Sequence, residues 1–165
     1  FLQLMKRLRQ QTPGIKMIAA GWTDCDAGRE LFAMPNVTFY GELPPDEALA
    51  LYYVSDVVLT YYDPAVPINR KAESNKWGDC IFLGKPFIAN SEVETAMVLS
   101  DTGFVFGAPY HDVDGLVGLV EELASASAQE VVVSPGREQI RAEYLPFDDV
   151  IRRILEYVEK GRSQK

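Results

Sequence analysis

Three cations and two carboxylates crowd a short span of this 165-residue sequence: Arg70 and Lys71, then the polar run Glu73, Ser74 and Asn75, then Lys76 and Asp79. The pattern over 73–90 reads as a loop ending at Asn75, a short helix to about Leu83, a glycine stop at Gly84 and a buried strand over 86–89. A helix that begins in a polar loop offers free backbone N–H groups and the positive end of its dipole, which suits a phosphate. Lys76 would stand beside that end and Asp79 one turn further in. An exposed acid paired with a lysine three residues back fits the same spacing. Residue types alone leave both readings open, and Lys85 before Pro86 reads as a surface lysine at a strand entry.

The elements around this span must position it. Phe1, Leu4, Met5 and Leu8 recur at helical spacing until Pro13 and Gly14. Residues 15–20 read as a fully buried strand closed by Gly21, residues 26–33 as a weak helix, and 37–40 as a second strand ended by Gly41. Pro44, Pro45, Asp46 and Glu47 start a helix whose buried stripe is Ala48, Leu51 and Tyr52. Residues 56–62 form a third strand, 92–99 a helix, 104–106 a strand, and Val113, Leu116, Val117 and Val120 mark another helix. The last helix, over about 147–160, carries Phe147, Val150, Ile151, Ile154, Leu155 and Val158. Strand and helix alternate, which predicts an α/β fold with a parallel sheet covered on both faces.

Composition narrows the function. The length suits one well-buried core and not two ordinary domains, so residues 1–165 read as one unit. A net charge of −8 argues against a broad nucleic-acid surface, so a phosphate ligand should be small and locally bound. Cys25 and Cys80 make no disulfide framework and sit in no metal-ligand pair, which fits reduced thiols in the cytoplasm. No apolar run approaches the roughly 20 residues that cross a bilayer. Asn36-Val37-Thr38 is a sequon by accident of composition in a chain read as cytoplasmic. Asp24-Cys25-Asp26 and Asp112-Val113-Asp114 imitate a metal motif but sit at helix starts, where aspartate caps; no metal is expected. His111, the one histidine, stands in a polar turn.

Asn75-Lys76, Asp79 and Gly84-Lys85-Pro86-Phe87-Ile88 resemble the Asn-Lys-x-x-Glu-x-x-x-x-Gly-Lys-Pro-Val-Ile segment in the C-terminal half of retaining GT-B glycosyltransferases of the large group that uses sugar nucleotides. Further pieces match: 36–41 followed by an acidic helix, Tyr53-x-x-Ser55-Asp56-Val57-Val58, and Glu143-Tyr144-x-x-Phe147-x-x-Val150. The resemblance implies a Rossmann-like doubly wound parallel sheet flanked by helices, one half of a GT-B fold. It implies transfer of a sugar from a UDP- or GDP-linked donor, without a cofactor or bound metal. Asp79 would accept from the ribose hydroxyls, the Asn75–Lys76 helix start would hold the diphosphate, and Gly41 with Glu42 would border the base. Arg70 and Lys71, on the loop after the third strand at the carboxyl edge of the sheet, would neutralise the leaving diphosphate. As a bare loop, the same residues read equally as solvated.

Two departures qualify this. The family's paired glutamates fall on Lys71 and Asp79 when the chains are aligned at Gly84-Lys85-Pro86, which puts the donor sugar, and transfer itself, in question. In the family an opening strand in the middle of the sheet carries an Arg and a Lys that clamp the diphosphate, so residues upstream of Phe1 are expected. An acceptor-binding N-terminal domain is expected with them, and any contact with the inner face of a membrane would be made through that domain. A binding module without transfer, and an unrelated doubly wound small-ligand domain, are the competing readings.

Overall fold

The computed structural model describes residues 1–125 and, beyond them, residues 136, 138–140, 149, 151, 152 and 154. The helix expected over 147–160 and the stretch before it lie outside the described residues except at those last four positions.

Helix α1 (Leu2–Gln11) buries Leu4, Met5 and Leu8 along one stripe. Strand β1 (Met17–Ala19) pairs in parallel with β2 (Val37–Phe39), Met17 opposite Val37. A second parallel sheet has the order β3 (Val58–Thr60), β4 (Phe87–Asn90), β5 (Val105–Ala108). Helices α2 (Asp26–Phe32), α3 (Pro45–Val54), α4 (Asn75–Leu83), α5 (Glu94–Met97) and α6 (Val113–Ser125) lie between and after the strands.

Alternate strand residues feed two cores, because successive side chains of a strand point to opposite faces. On one face Leu59, Ile88 and Phe106 join Met17, Val37 and the inner residues of α1, α2 and α6. On the other, Val58, Phe87, Ala89 and Val105 meet Trp77, Cys80 and Ile81 of α4 and Ala96 of α5. β4 is buried throughout because it is central to its sheet and covered on both faces. This is the doubly wound α/β architecture that the alternation of elements predicts. Among the described residues no helix is long and apolar enough to cross a membrane.

Three expectations need correction. The strand expected over 15–20 is only Met17–Ala19, and all three residues are half-buried; among the described residues it pairs with β2 alone. No residue of α3 is fully buried, so the stripe of Ala48, Leu51 and Tyr52 is partial; α3 packs against α4 rather than flat on a sheet. The helix expected over 92–99 is the single turn α5 followed by a 3₁₀ turn at Ser100–Thr102. A backbone bond from Val93 N to Asn90 O at 3.0 Å spends the first residues on a turn.

Candidate functional site at the carboxyl ends of the strands

Helix α4 runs from Asn75 to Leu83 and stops at Gly84, whose φ of 70° is the left-handed conformation that glycine adopts without strain. Its cap is Ser74 rather than Asn75: Ser74 Oγ accepts from Lys76 N at 3.3 Å. Asn75 is the exposed first residue of the helix. Ser74 Oγ also shares a proton with Tyr62 Oη at 2.7 Å, and Lys76 Nζ donates to the same Tyr62 Oη at 3.3 Å. The ammonium lies 5.7 Å from the Tyr62 ring centre, close enough for a cation–π contribution. Lys76 is thereby held beside the chain that leaves β3. No ion pair joins it to Asp79, so the paired-surface reading of those two residues does not describe this helix.

Asp79, half-buried, lines a cleft of about 390 Å³ with Pro45, Asp46, Ala48, Leu49 and Tyr52. Burial, with the nearby Cys80 and Asp79, pushes the Tyr52 phenol up to about 12. At neutral pH that hydroxyl is a neutral donor among carboxylates. Asp46 and Asp79 together make the cleft acidic, suited to hydroxyl or N–H donors and unsuited to phosphate. The turn of Gly41 and Glu42 leads into the α3 start that forms one wall. Gly41 has a φ of 71°, and its carbonyl accepts from Gly21 N at 2.7 Å, which joins the turns after β1 and β2. Glu42 is exposed.

Arg70 ends the 3₁₀ turn Pro67–Arg70, exposed, with its guanidinium 3.8 Å from Glu94 Oε1 at the start of α5. Lys71 follows it, exposed. The loop is built on Asp63: its carboxylate accepts from Ala65 N and its carbonyl from Asn69 Nδ2, each at 2.9 Å. The loop's far end is tied to α5 by Thr95 Oγ1 donating to Ala72 O at 3.1 Å. The structure therefore gathers Ser74, Lys76 and Tyr62 in one hydrogen-bonded group and sets Asp79 in the α3–α4 cleft. Arg70 reaches across to α5 instead of joining either.

One network was not singled out from sequence. Asn90, fully buried, accepts from Tyr62 N at 3.0 Å and donates to Glu92 Oε2 at 3.1 Å; Glu92 in turn accepts from Tyr110 N at 3.1 Å. Burial raises the Glu92 carboxyl, but the Tyr110 amide, Asn90 and His111 outweigh it and hold the group below its ordinary value. The signal was positional: each residue lies within two of a strand's carboxyl end, where ligands of doubly wound sheets gather.

The two aspartate motifs divide: Asp112 caps α6 as expected, whereas α2 has no side-chain cap hydrogen bond. Asp112 Oδ1 accepts from Gly115 N at 2.8 Å at the start of α6, and Asp26 pairs with Arg29 at 2.5 Å within α2. Among the described residues no three His, Cys, Asp or Glu side chains gather as a metal-binding group.

The parallel strands flanked by helices and the two-faced core define a Rossmann-like domain of the kind that makes one half of a GT-B fold. Among solved structures the chain is similar to a sucrose-phosphate synthase from Thermosynechococcus elongatus, with a TM-score of 0.63 and 14% identity over 99% of this chain. It spans 43% of that synthase's chain, and at such identity the likeness is one of fold. No family model matches the sequence, and no curated protein matches it.

Proposed function

We propose that this chain is the donor half of a glycosyltransferase, holding a UDP- or GDP-linked sugar for transfer, with retention, to an acceptor held by a second, N-terminal domain. The observation that supports it best is the division of charge along α4. Lys76 stands at the helix start beside Tyr62, and Asp79 faces the acidic cleft against α3. A nucleoside diphosphate has the matching order of groups, anionic phosphates at one end and ribose hydroxyls next to them. In this reading Asp79 accepts from the ribose, the α4 start with Asn75 and Lys76 takes the diphosphate, Gly41 and Glu42 border the base, and Arg70 and Lys71 meet the leaving group. The separation of the strands into β1–β2 and β3–β4–β5 is consistent with a further strand from upstream of Phe1 entering between them. The reading carries a cytoplasmic setting, with any membrane contact made by the second domain.

The test is a thermal-shift panel of UDP, GDP, ADP and their sugar conjugates. Ligand at about 100 times its dissociation constant stabilises by roughly 2.7 kcal/mol, a rise of several degrees. A shift with one base, weakened in both Asp79→Ala and Lys76→Ala, is expected; no shift with any nucleotide would sink the proposal. A second reading, nucleotide binding without transfer, draws on Lys71 standing where the family has a glutamate. It predicts that the full-length protein binds the donor and releases no free nucleotide from it in the presence of acceptors.

A further inference from the structure

We infer that Asn90 is a positioning residue for the donor site: from the end of the central strand it fixes the path by which the chain leaves β3, and through Tyr62 it holds the Lys76 ammonium at the start of α4. The inference rests on the donor reading above and adds a residue that touches no ligand. Asn90 closes β4, fully buried, after the apolar residues Phe87, Ile88 and Ala89. Its Oδ1 accepts from Tyr62 N at 3.0 Å and its Nδ2 donates to Glu92 Oε2 at 3.1 Å. The pairing of β3 with β4 ends at Thr60 and Ala89, so Tyr62 N lies past the ladder and takes its acceptor from this side chain.

The partners dictate the residue type. A backbone N–H only donates, and Glu92, an acid held below its ordinary value, only accepts at neutral pH. A carboxamide carries an acceptor and a donor on one short stem and satisfies both. Leucine fills similar space, satisfies neither, and would leave a buried N–H unpaired. Glu92 is itself anchored by Tyr110 N, at 3.1 Å to Oε1 and 3.2 Å to Oε2. One hydrogen-bonded line therefore crosses the carboxyl ends of β5, β4 and β3. It continues through the rigid Tyr62 ring to the hydroxyl, which meets Ser74 Oγ at 2.7 Å and Lys76 Nζ at 3.3 Å. Lys76 is exposed, and its stem is flexible, so the phenol is what gives the ammonium a fixed place. A shift of the Tyr62 backbone moves the phenol, and the ammonium loses that place.

The test is calorimetric titration with UDP and GDP of variants shown to be folded by circular dichroism. Asn90→Leu is expected to weaken nucleotide binding by about tenfold, the worth of one charge-assisted hydrogen bond. In a Lys76→Ala background the same change should weaken it by less than about twofold, because the contact is already lost. A merely structural role would give the same loss in both backgrounds. Asn90→Asp combined with Glu92→Gln keeps the net charge and reverses the bond between the two positions, the introduced carboxylate accepting from Tyr62 N and from the introduced carboxamide; it should restore most of the affinity. Should Asn90→Leu not fold, Asn90→Ser, whose hydroxyl is too short to reach both partners, takes its place. Nucleotide binding that Asn90→Leu leaves unchanged, or weakens equally with and without Lys76, overturns the positioning role and leaves the donor reading standing. No nucleotide binding by the unaltered protein overturns both.

Discussion

The indole N–H of Trp77 donates to Thr60 Oγ1 at 3.1 Å inside the core, and the same hydroxyl donates onward to Ile88 O at 3.2 Å. Helix α4, which carries Lys76 and Asp79, is thereby fastened to β3 and β4 by a polar link in an apolar layer. Burial makes the link directional: a slide of the helix by a fraction of a turn would leave an N–H without a partner where no water reaches.

Trp77→Phe should therefore cost about 2 kcal/mol, from the lost hydrogen bond and the smaller ring, with the Thr60 hydroxyl still satisfied by Ile88. Urea unfolding should show a lower midpoint at unchanged slope. Thr60→Val, which leaves the buried Trp77 N–H without its acceptor, should cost at least as much. A midpoint unmoved by either change would show that packing alone holds the helix.

Glu92 gives a pH dependence of definite sign. Its folded carboxyl is held below the ordinary value of 4.5, net of burial, by the Tyr110 amide, Asn90 and His111. A depressed acid contributes stability that is complete above the unfolded pKa and is lost as pH falls through the folded one. Unfolding free energy should fall below about pH 4.5, and Glu92→Gln should be less stable at neutral pH with a flatter acid limb. Equal acid limbs in the two proteins would remove Glu92 from the account.

The two thiols should react very differently. Cys25 is exposed, and its pKa is lowered chiefly by the Thr23 hydroxyl 3.5 Å away and then by the Gly28 backbone. Cys80 is buried against β4, and burial pushes its thiol up to about 12. Near neutral pH a thiol reagent should modify one group per native chain, abolished in Cys25→Ser, and the second only in denaturant. Two fast groups in the native protein would contradict the packing of α4.

Much of the fold was legible because its signals are local. The helix of 75–83, its glycine stop and the strand after it follow from a polar start, an apolar stripe and Gly84, none of which needs a distant partner. The covered faces were legible in Leu116, Val117 and Val120 of α6 for the same reason. Burial that depends on what lies opposite was not: β1 has the apolar residues of an inner strand yet is half-exposed, and α3 has an apolar stripe with nothing flat to lie on.

The site divides the same way. Sequence by itself determined which charges sit where along α4, because spacing on a helix fixes which turn carries Lys76 and which carries Asp79. Only the tertiary structure decided their partners. Lys76 turns to Tyr62, fourteen residues away, Asp79 shares a cleft with α3, and Arg70 pairs with Glu94. Likewise Gly21 and Gly41, far apart in the chain, are joined by one hydrogen bond because β1 and β2 run parallel and end together. Periodicity and capping are properties of neighbouring residues; a site at the ends of parallel strands is assembled from residues that the crossovers bring together, and no short-range pattern records it.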